Sequence, residues 1–202
     1  MNAAERILRV AAGNPESAAK AELRRQLIAA RKARPSTRRA DDARRLAEVG
    51  LGALPAGAST VAAYAAVGTE PDSRPLIDAL RSRGLRVLLP VLLPDGDLDW
   101  APYPGWASLV PGPHGLLEPP GPGLGPDAVQ DAVLVLVPGL AVDRRGRRLG
   151  RGGGSYDRVL ARIPRARSLV VVYDEEVLDE VPVLPHDRPV GGALTPSRIL
   201  KF

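Results

Sequence analysis

The chain of 202 residues contains no cysteine, only two histidines and only 3% aromatic residues. Lysine is almost absent too, present only as Lys20, Lys32 and Lys201. The missing cysteine excludes disulfides and thiolate metal sites. No apolar run approaches the roughly 20 residues that cross a bilayer, and the N-terminus lacks the basic-then-apolar pattern of a secretory leader. A cytoplasmic protein without a membrane partner is the simplest expectation. Neither His114 nor His186 stands at a triad-like spacing from a serine, and no His-Glu-x-x-His pattern occurs, so nucleophilic hydrolysis and zincin chemistry are disfavoured. With so few aromatics, Ala, Val and Leu must build the core, and a hydrophobic content of 45% is ample for one domain.

What the chain has in quantity is arginine, glycine and proline. The formal net charge is +5, and it is uneven. Residues 1–50 carry 12 basic and 6 acidic side chains, a net of +6, while the rest carries 16 and 17, a net of −1. Such a basic N-terminus fits an anionic ligand or a nucleic acid; it equally fits a solvated helical face, since acids are interspersed.

The pattern along the chain is helices first, then alternating strands and helices. Residues 1–14 read as an extension and 15–202 as a single domain. Pro15 suits a first helical turn, Leu23, Leu27 and Ala30 share one face, and Lys20, Arg24 and Arg31 form a second stripe. Pro35 stops this helix. Ser36 or Thr37 is expected to cap a second one, reaching about Leu54 with Ala43, Leu46, Ala47 and Val49 inward, and the two are expected to form a hairpin. A short strand at 60–66, a helix capped by Asp72 or Ser73 and ended at Gly84, and a strand at 85–89 make a parallel β-α-β unit. Of residues 102–126, 14 of 25 are Pro or Gly; the segment is either a linker or an ordered loop over a cleft. The fully apolar run Ala132–Val137 predicts a central strand covered on both faces. The expected fold class is a layered α/β protein whose mostly parallel central sheet is flanked by helices, with the N-terminal hairpin at its start.

After the apolar run come Asp143, five arginines between Arg144 and Arg151, then Gly152, Gly153 and Gly154, and a helix-like stretch from Tyr156 to Ile163. A strand, a glycine-rich loop and a helix start in that order make an anion site: glycine lets backbone N–H groups approach phosphate oxygens, and the helix end adds partial positive charge. The spacing is neither that of a Walker loop nor that of a dinucleotide fingerprint. A glycine-rich turn that binds nothing is the competing reading. Asp143, Asp157, His186 and Asp187 are candidates for metal or acid–base chemistry, and equally for helix caps. Glu70 falls in the loop beyond a parallel strand, the edge at which open α/β sheets hold ligands.

Five segments in order together resemble the 5-formyltetrahydrofolate cyclo-ligase family. They are Lys20-Ala21-Glu22-Leu23-Arg24; Tyr64 with Gly68-Thr69-Glu70-Pro71-Asp72; Gly115-Leu116-Leu117-Glu118-Pro119; Val137 to Asp143 with Gly146 and Arg148 to Arg158; and Val181-Pro182 through His186-Asp187 to Thr195. The resemblance implies ATP- and Mg2+-dependent closure of 5-formyltetrahydrofolate to 5,10-methenyltetrahydrofolate, with release of ADP and phosphate. The formyl oxygen would take the γ-phosphoryl group, N10 would attack, and phosphate would leave. It implies nucleotide contacts from Lys20, Ala21, Glu22, Leu23 and Arg24 and from Arg148, Leu149, Gly150, Arg151, Gly152, Gly153, Gly154, Ser155 and Tyr156. Of these, Lys20, Arg148, Arg151 and Tyr156 would be catalytic. Ala65, Glu70, Arg151, Gly152, Gly153, Gly154 and Ser155 would bind the folate, and Asp157 and Asp187 the metal. Its partner is a small molecule, with no nucleic acid, and the protein is expected to be a monomer. The chain departs from the family pattern at Ser155, where a tyrosine is usual, and at Gly191, where an aspartate is usual. Arg144, Arg145 and Arg147 match no fixed family position and read as solvated. The alternatives are a divergent, non-enzymatic relative that binds nucleotide or RNA, and another ATP-dependent enzyme on the same scaffold.

Overall fold

The computed structural model describes residues 15–202, so the expected N-terminal extension lies outside the described residues. A seven-stranded sheet forms the centre. Five parallel strands run in the order β11-β9-β6-β1-β2, that is Gly192–Leu194, Ser168–Val171, Leu134–Pro138, Thr60–Ala62 and Arg86–Leu92. Antiparallel strands close both edges: β12 (Ile199–Lys201) beside β11 and β3 (Leu98–Pro102) beside β2. The expected mostly parallel α/β sheet is thus present.

Alternation along β6 explains its full burial. Leu134 and Leu136 point into one core layer, with Leu46, Leu76, Ile77 and Leu80 of the helices α2 (Ser36–Leu51) and α3 (Arg74–Ser82). Val135 and Val137 point into the other, with Trp100 and with Val159 and Leu160 of α4 (Ser155–Arg162). Both faces are covered, and the strand therefore carries no polar side chain.

The N-terminal helices follow one another across Arg34–Pro35 but bury their faces against different partners. α2 lies on α3 and the main sheet. α1 (Pro15–Ala33) instead sets Leu23, Leu27 and Ile28 against a small core of Leu140, Ala141, Leu149 and Val181. Ala30, expected on that face, is exposed. Pro35 precedes α2 and no side chain caps it, so the expected Ser36 or Thr37 cap is not formed, and α2 ends at Leu51. Ser73 precedes α3, yet its hydroxyl donates to the Tyr64 carbonyl (2.6 Å) and accepts from the Ala66 N–H, bracing the chain beyond β1 instead of the helix.

The stretch from Asp143 to Gly154, expected as a long loop ahead of the helix, contains a hairpin. β7 (Ala141–Asp143) pairs with β8 (Arg148–Leu149) and with β10 (Val177–Leu178) in a second, three-stranded sheet. Asp143 builds its turn. The carboxylate is fully buried and accepts the N–H groups of Arg145, Arg147 and Val181 and the Arg147 guanidinium. Asp143 is therefore structural, not a metal or acid–base group. Arg147, expected in solvent, is tied to Asp143 and Glu180, whereas Arg144 and Arg145 are exposed as expected.

The proline- and glycine-rich segment is ordered. Its strands β4 (Val110–Pro111) and β5 (Leu117–Glu118) form a ribbon, and buried Glu118 accepts the Leu92 N–H of β2 at 2.9 Å.

Candidate active site

β1 and β6 are neighbours, but their onward connections diverge: β1 leads through α3 to β2, and β6 leads through the β7–β8 hairpin and α4 to β9. Where strand order reverses in this way, a crevice opens beyond the carboxyl ends of the strands. A cleft of about 630 Å³ occupies that place. Tyr64, Ala65, Val67 and Glu70 border it beyond β1, and Pro138 and Gly139 at the end of β6. The glycine loop, Gly150–Gly154, and the first residues of α4 form one wall, α1 another, and His114, Leu116 and Leu117 of the proline-glycine segment a third.

Helical period selects which residues of α1 face the cleft. Ser17, Lys20 and Arg24 do, at i, i+3 and i+7. Ala21 and Glu22, which the resemblance had placed at the nucleotide, are exposed on the other side, where Glu22 accepts from Arg25 and Gln26; Leu23 packs on the small core. Leu149 is also turned away, buried beneath the loop in that core.

All the charged groups of the cleft are engaged, and apart from Arg24 they are paired with one another. Lys20, 3% exposed, donates through Nζ to both oxygens of Asp187 at 2.7 and 2.6 Å. Burial opposes ionisation of that carboxyl, but Lys20 and the Leu184 N–H outweigh it and hold it below the usual range. Arg24 donates to the Gly150 carbonyl at 2.8 Å, which joins α1 to the glycine loop. Arg148, buried, donates to the Pro138 carbonyl and, at 3.3 Å, to Asp157 Oδ1, while its Nε has no partner among the described residues. Asp157 also accepts the Arg188 N–H. Arg151 is half-exposed and reaches across the mouth to Glu70 at 3.0 Å. Four cations and three carboxylates thus face one cavity, a balance that a polyanionic ligand would tip by engaging the cations.

Glycine is required in the loop itself. Gly152 and Gly154 take φ of 111° and 75°, and Gly154 is the last residue before α4, so its left-handed turn brings the loop into the helix. The Asp157 N–H turns back to the Gly154 carbonyl at 3.1 Å, which leaves the Ser155 and Tyr156 N–H groups at the start of α4 for an acceptor.

Two phenols complete the floor. The hydroxyls of Tyr64 and Tyr156 are buried and find no partner among the described residues. Burial first, and then the nearby Glu70 carboxylate, pushes both well above the ordinary phenol value, so both remain protonated donors. Tyr64 stood in the sequence beside the Glu70 loop, but nothing in its spacing revealed that it lies under the cleft. Ser17, Leu92, Leu98 and His114 were also missed; the apolar pair comes from β2 and β3, whose order in the sheet only the fold discloses. Among the described residues there is no cluster of three or more His, Cys, Asp or Glu able to hold a metal.

The sheet reversal, the basic glycine loop and the unsatisfied donors define an α/β protein with a basic cleft at its switch point, of a shape and charge suited to an anionic small molecule. Comparison with known proteins gives the family. The family model described as "5-formyltetrahydrofolate cyclo-ligase family" matches residues 16–196, and the chain belongs to this family of enzymes. The 5-formyltetrahydrofolate cyclo-ligase of Mycolicibacterium smegmatis is 44% identical over 186 residues, covering 89% of this chain and 94% of that one. The enzyme of the same name from Escherichia coli K12 is 34% identical over 155 residues, 72% of this chain and 82% of its own. Among solved structures, Aquifex aeolicus 5,10-methenyltetrahydrofolate synthetase superposes with a TM-score of 0.74 at 28% identity, covering 90% of this chain and 92% of that one. The Mycoplasma pneumoniae synthetase shares the fold at 18% identity, with a TM-score of 0.69 over 88% of this chain and 99% of that one.

Proposed function

We propose that the protein closes 5-formyltetrahydrofolate to 5,10-methenyltetrahydrofolate, consuming ATP to ADP and phosphate. The observation that carries this reading is the gathering of two unlike sets of groups in one cleft. Lys20, Arg24, Arg148, Arg151 and the glycine loop suit phosphate, and in this reading form a phosphate subsite. Glu70, Tyr64, Tyr156 and Ala65 suit a polar ring, and in this reading form a ring subsite.

In this reading Glu70 accepts hydrogen bonds from the ring N–H and amino group of the pterin, and the two phenols donate to its oxygens. The formyl oxygen attacks the γ-phosphorus and ADP departs. N10 then attacks the formyl carbon and loses its proton, and the phosphate leaves with the former formyl oxygen. Such transfer needs positioning and charge neutralisation more than covalent help. Lys20 and Arg151 supply the charge, and Arg148, anchored on the Pro138 carbonyl, holds Asp157 in place. Leu92, Leu98, Leu116 and Leu117 would keep water from the carbon that bears the phosphorylated oxygen.

The donor set fits Mg2+ held chiefly by the nucleotide. A magnesium ion commonly takes one or two carboxylates and completes its shell with phosphate oxygens and water. Among the described residues Asp157 is engaged through Oδ1 alone, whereas both oxygens of Asp187 are taken by Lys20 and the Leu184 N–H. Asp157 is therefore the protein's own ligand and Asp187 the partner of Lys20. Bound there, the ion would neutralise phosphate charge. ADP release that depends on 5-formyltetrahydrofolate checks the proposal; equal release without the folate contradicts it.

A further inference from the structure

α1 is anchored in an unusual way. Its only buried residues are charged, Lys20 and Arg31. Leu23, Leu27 and Ile28 are only partly covered. Apolar contact of that kind tolerates sliding and rolling, because it is non-directional. Directional contacts must fix the helix, and the most enclosed of them lies at its far end.

Arg31 is 2% exposed. Its Nε and one terminal nitrogen donate to the two oxygens of buried Glu176 at 2.6 and 2.7 Å, and that nitrogen also reaches the Gly139 carbonyl at 2.7 Å. Glu176 is itself held by the Tyr173 N–H at 2.8 Å. Beside them Arg34 stacks on the Tyr173 ring, 4.0 Å from its centre, and pairs with Asp42 and Glu175. Gly139 follows Pro138, whose carbonyl accepts from Arg148. Arg31 and Arg148 therefore grip adjacent carbonyls at the end of β6, one from α1 and one from the glycine-loop side.

Eleven residues separate Lys20 from Arg31. At about 100° and 1.5 Å per residue, the two lie within roughly 20° of one line along the helix and about 16 Å apart. Arg24 falls on the same line. A rotation or slide at Arg31 is passed to Lys20 and Arg24 undiminished, because the helix between them is rigid.

We propose that the Arg31–Glu176 pair is a positioning device for the nucleotide side of the site: it sets the rotation and register of α1, and thereby where Lys20 and Arg24 enter the cleft. A buried pair of this kind adds little net stability against an apolar replacement, and its best-attested use is to fix register. The ring-side residues stand on other elements, Tyr64, Ala65 and Glu70 after β1 and Tyr156 in the first turn of α4; Arg31 is felt at Tyr64 and Glu70 through its charge alone, and the double variant removes that charge together with the opposite one of Glu176. The device should thus act on one substrate and spare the other. This part rests on the reading given under Proposed function.

The test uses the full chain with Arg31→Met and Glu176→Gln together, which removes both charges yet keeps an acceptor for the Tyr173 N–H. The expected result is a KM for ATP raised about tenfold with KM for 5-formyltetrahydrofolate unchanged, the size being that of a small misplacement of a charged group. Arg31→Lys keeps the charge without the two-pronged geometry and should fall between; it decides the matter if the double variant does not fold. An unchanged KM for ATP, or equal rises for both substrates, overturns the proposal. A second reading needs no turnover. The chain has no cysteine, so spin labels can be placed through Ala19→Cys on α1 and Ala161→Cys on α4, both exposed. The distance between them should be narrow in the parent and broadened or shifted in the variants, and an unaltered distribution overturns the proposal. If the parent protein turns over no folate, the proposed function falls while the distance measurement still decides this one.

Discussion

Lys20 and Asp187 stand 167 positions apart in the chain and meet at 2.6 Å in the wall of the cleft. The contact joins the first described helix to the loop after β10. In the proposed reading it gives different roles to the two carboxylates that the family resemblance groups as metal ligands. Asp187→Asn should lower turnover and cost about 2 kcal/mol of stability, because it leaves a largely buried ammonium without its counter-charge. Added Mg2+ should not restore it. Asp157→Asn should abolish ring closure, or nearly so, with a smaller stability loss, and raised Mg2+ should recover part of any residual rate. Thermal melts and rate measurements at graded Mg2+ distinguish the two; recovery of the Asp187 variant by Mg2+ would contradict the assignment.

The hydroxyls of Tyr64 and Tyr156 lack partners in the structure described. A buried group of that kind costs stability until a ligand satisfies it. Tyr64→Phe and Tyr156→Phe should leave the melting temperature unchanged or slightly raised, while affinity for the folate falls by about 1–2 kcal/mol. Calorimetric titration beside a thermal melt checks both halves. A clear loss of stability would show that these hydroxyls already serve the fold.

Asp143 provides a pH signature. Its burial favours the neutral acid, but the N–H groups of Val181, Arg147 and Arg145 and the Arg147 guanidinium prevail and hold its pKa below the usual value. A carboxyl whose folded value is depressed contributes stability in full above its unfolded pKa, about 3.9, and loses it as pH falls through the folded value. Asp97, paired chiefly with Arg162, and Asp187 shift in the same direction. The melting temperature should therefore drop steeply below about pH 4. Asp143→Asn should melt lower at neutral pH and show a shallower acid decline; an equally steep decline would remove Asp143 from the explanation.

Gly191 departs from the family pattern, and the structure gives a reason to leave it so. A side chain there would collide with the Arg165 carbonyl. Gly191→Asp should destabilise by about 1–3 kcal/mol through overpacking and should not raise turnover. Denaturant titration with a rate assay is the check; a gain in activity would mean that the missing carboxylate matters.

The fold was legible where one force acts along a short stretch. Ala132–Val137 is apolar at every position because both faces of β6 are covered, and this placed the centre of the sheet. Strand order was less accessible. Nothing local in Gly192–Leu194 says that it pairs with β9, or that Ala141–Asp143 turns back as a hairpin; the Asp143 carboxylate decides that by collecting donors from Val181, 38 positions away. The site divides likewise. The glycine loop and Glu70 could be read from spacing and from their place beyond strands, whereas Tyr64, Leu92 and His114 reach the cleft only through the sheet order and the ordered proline-glycine segment. The Arg31–Glu176 pair could not be foreseen, since Arg31 in isolation looks like one more arginine on a basic helix.

The central claim is that the phosphate and ring subsites of this one cleft serve a single ring closure. The most direct test is to mix the purified protein with 5-formyltetrahydrofolate, ATP and Mg2+ and follow the near-ultraviolet absorbance of the methenyl product. The account predicts a steady rise that requires both ATP and the folate and disappears in the Asp157→Asn variant. No rise from a correctly folded protein, or a full rate from that variant, would contradict it.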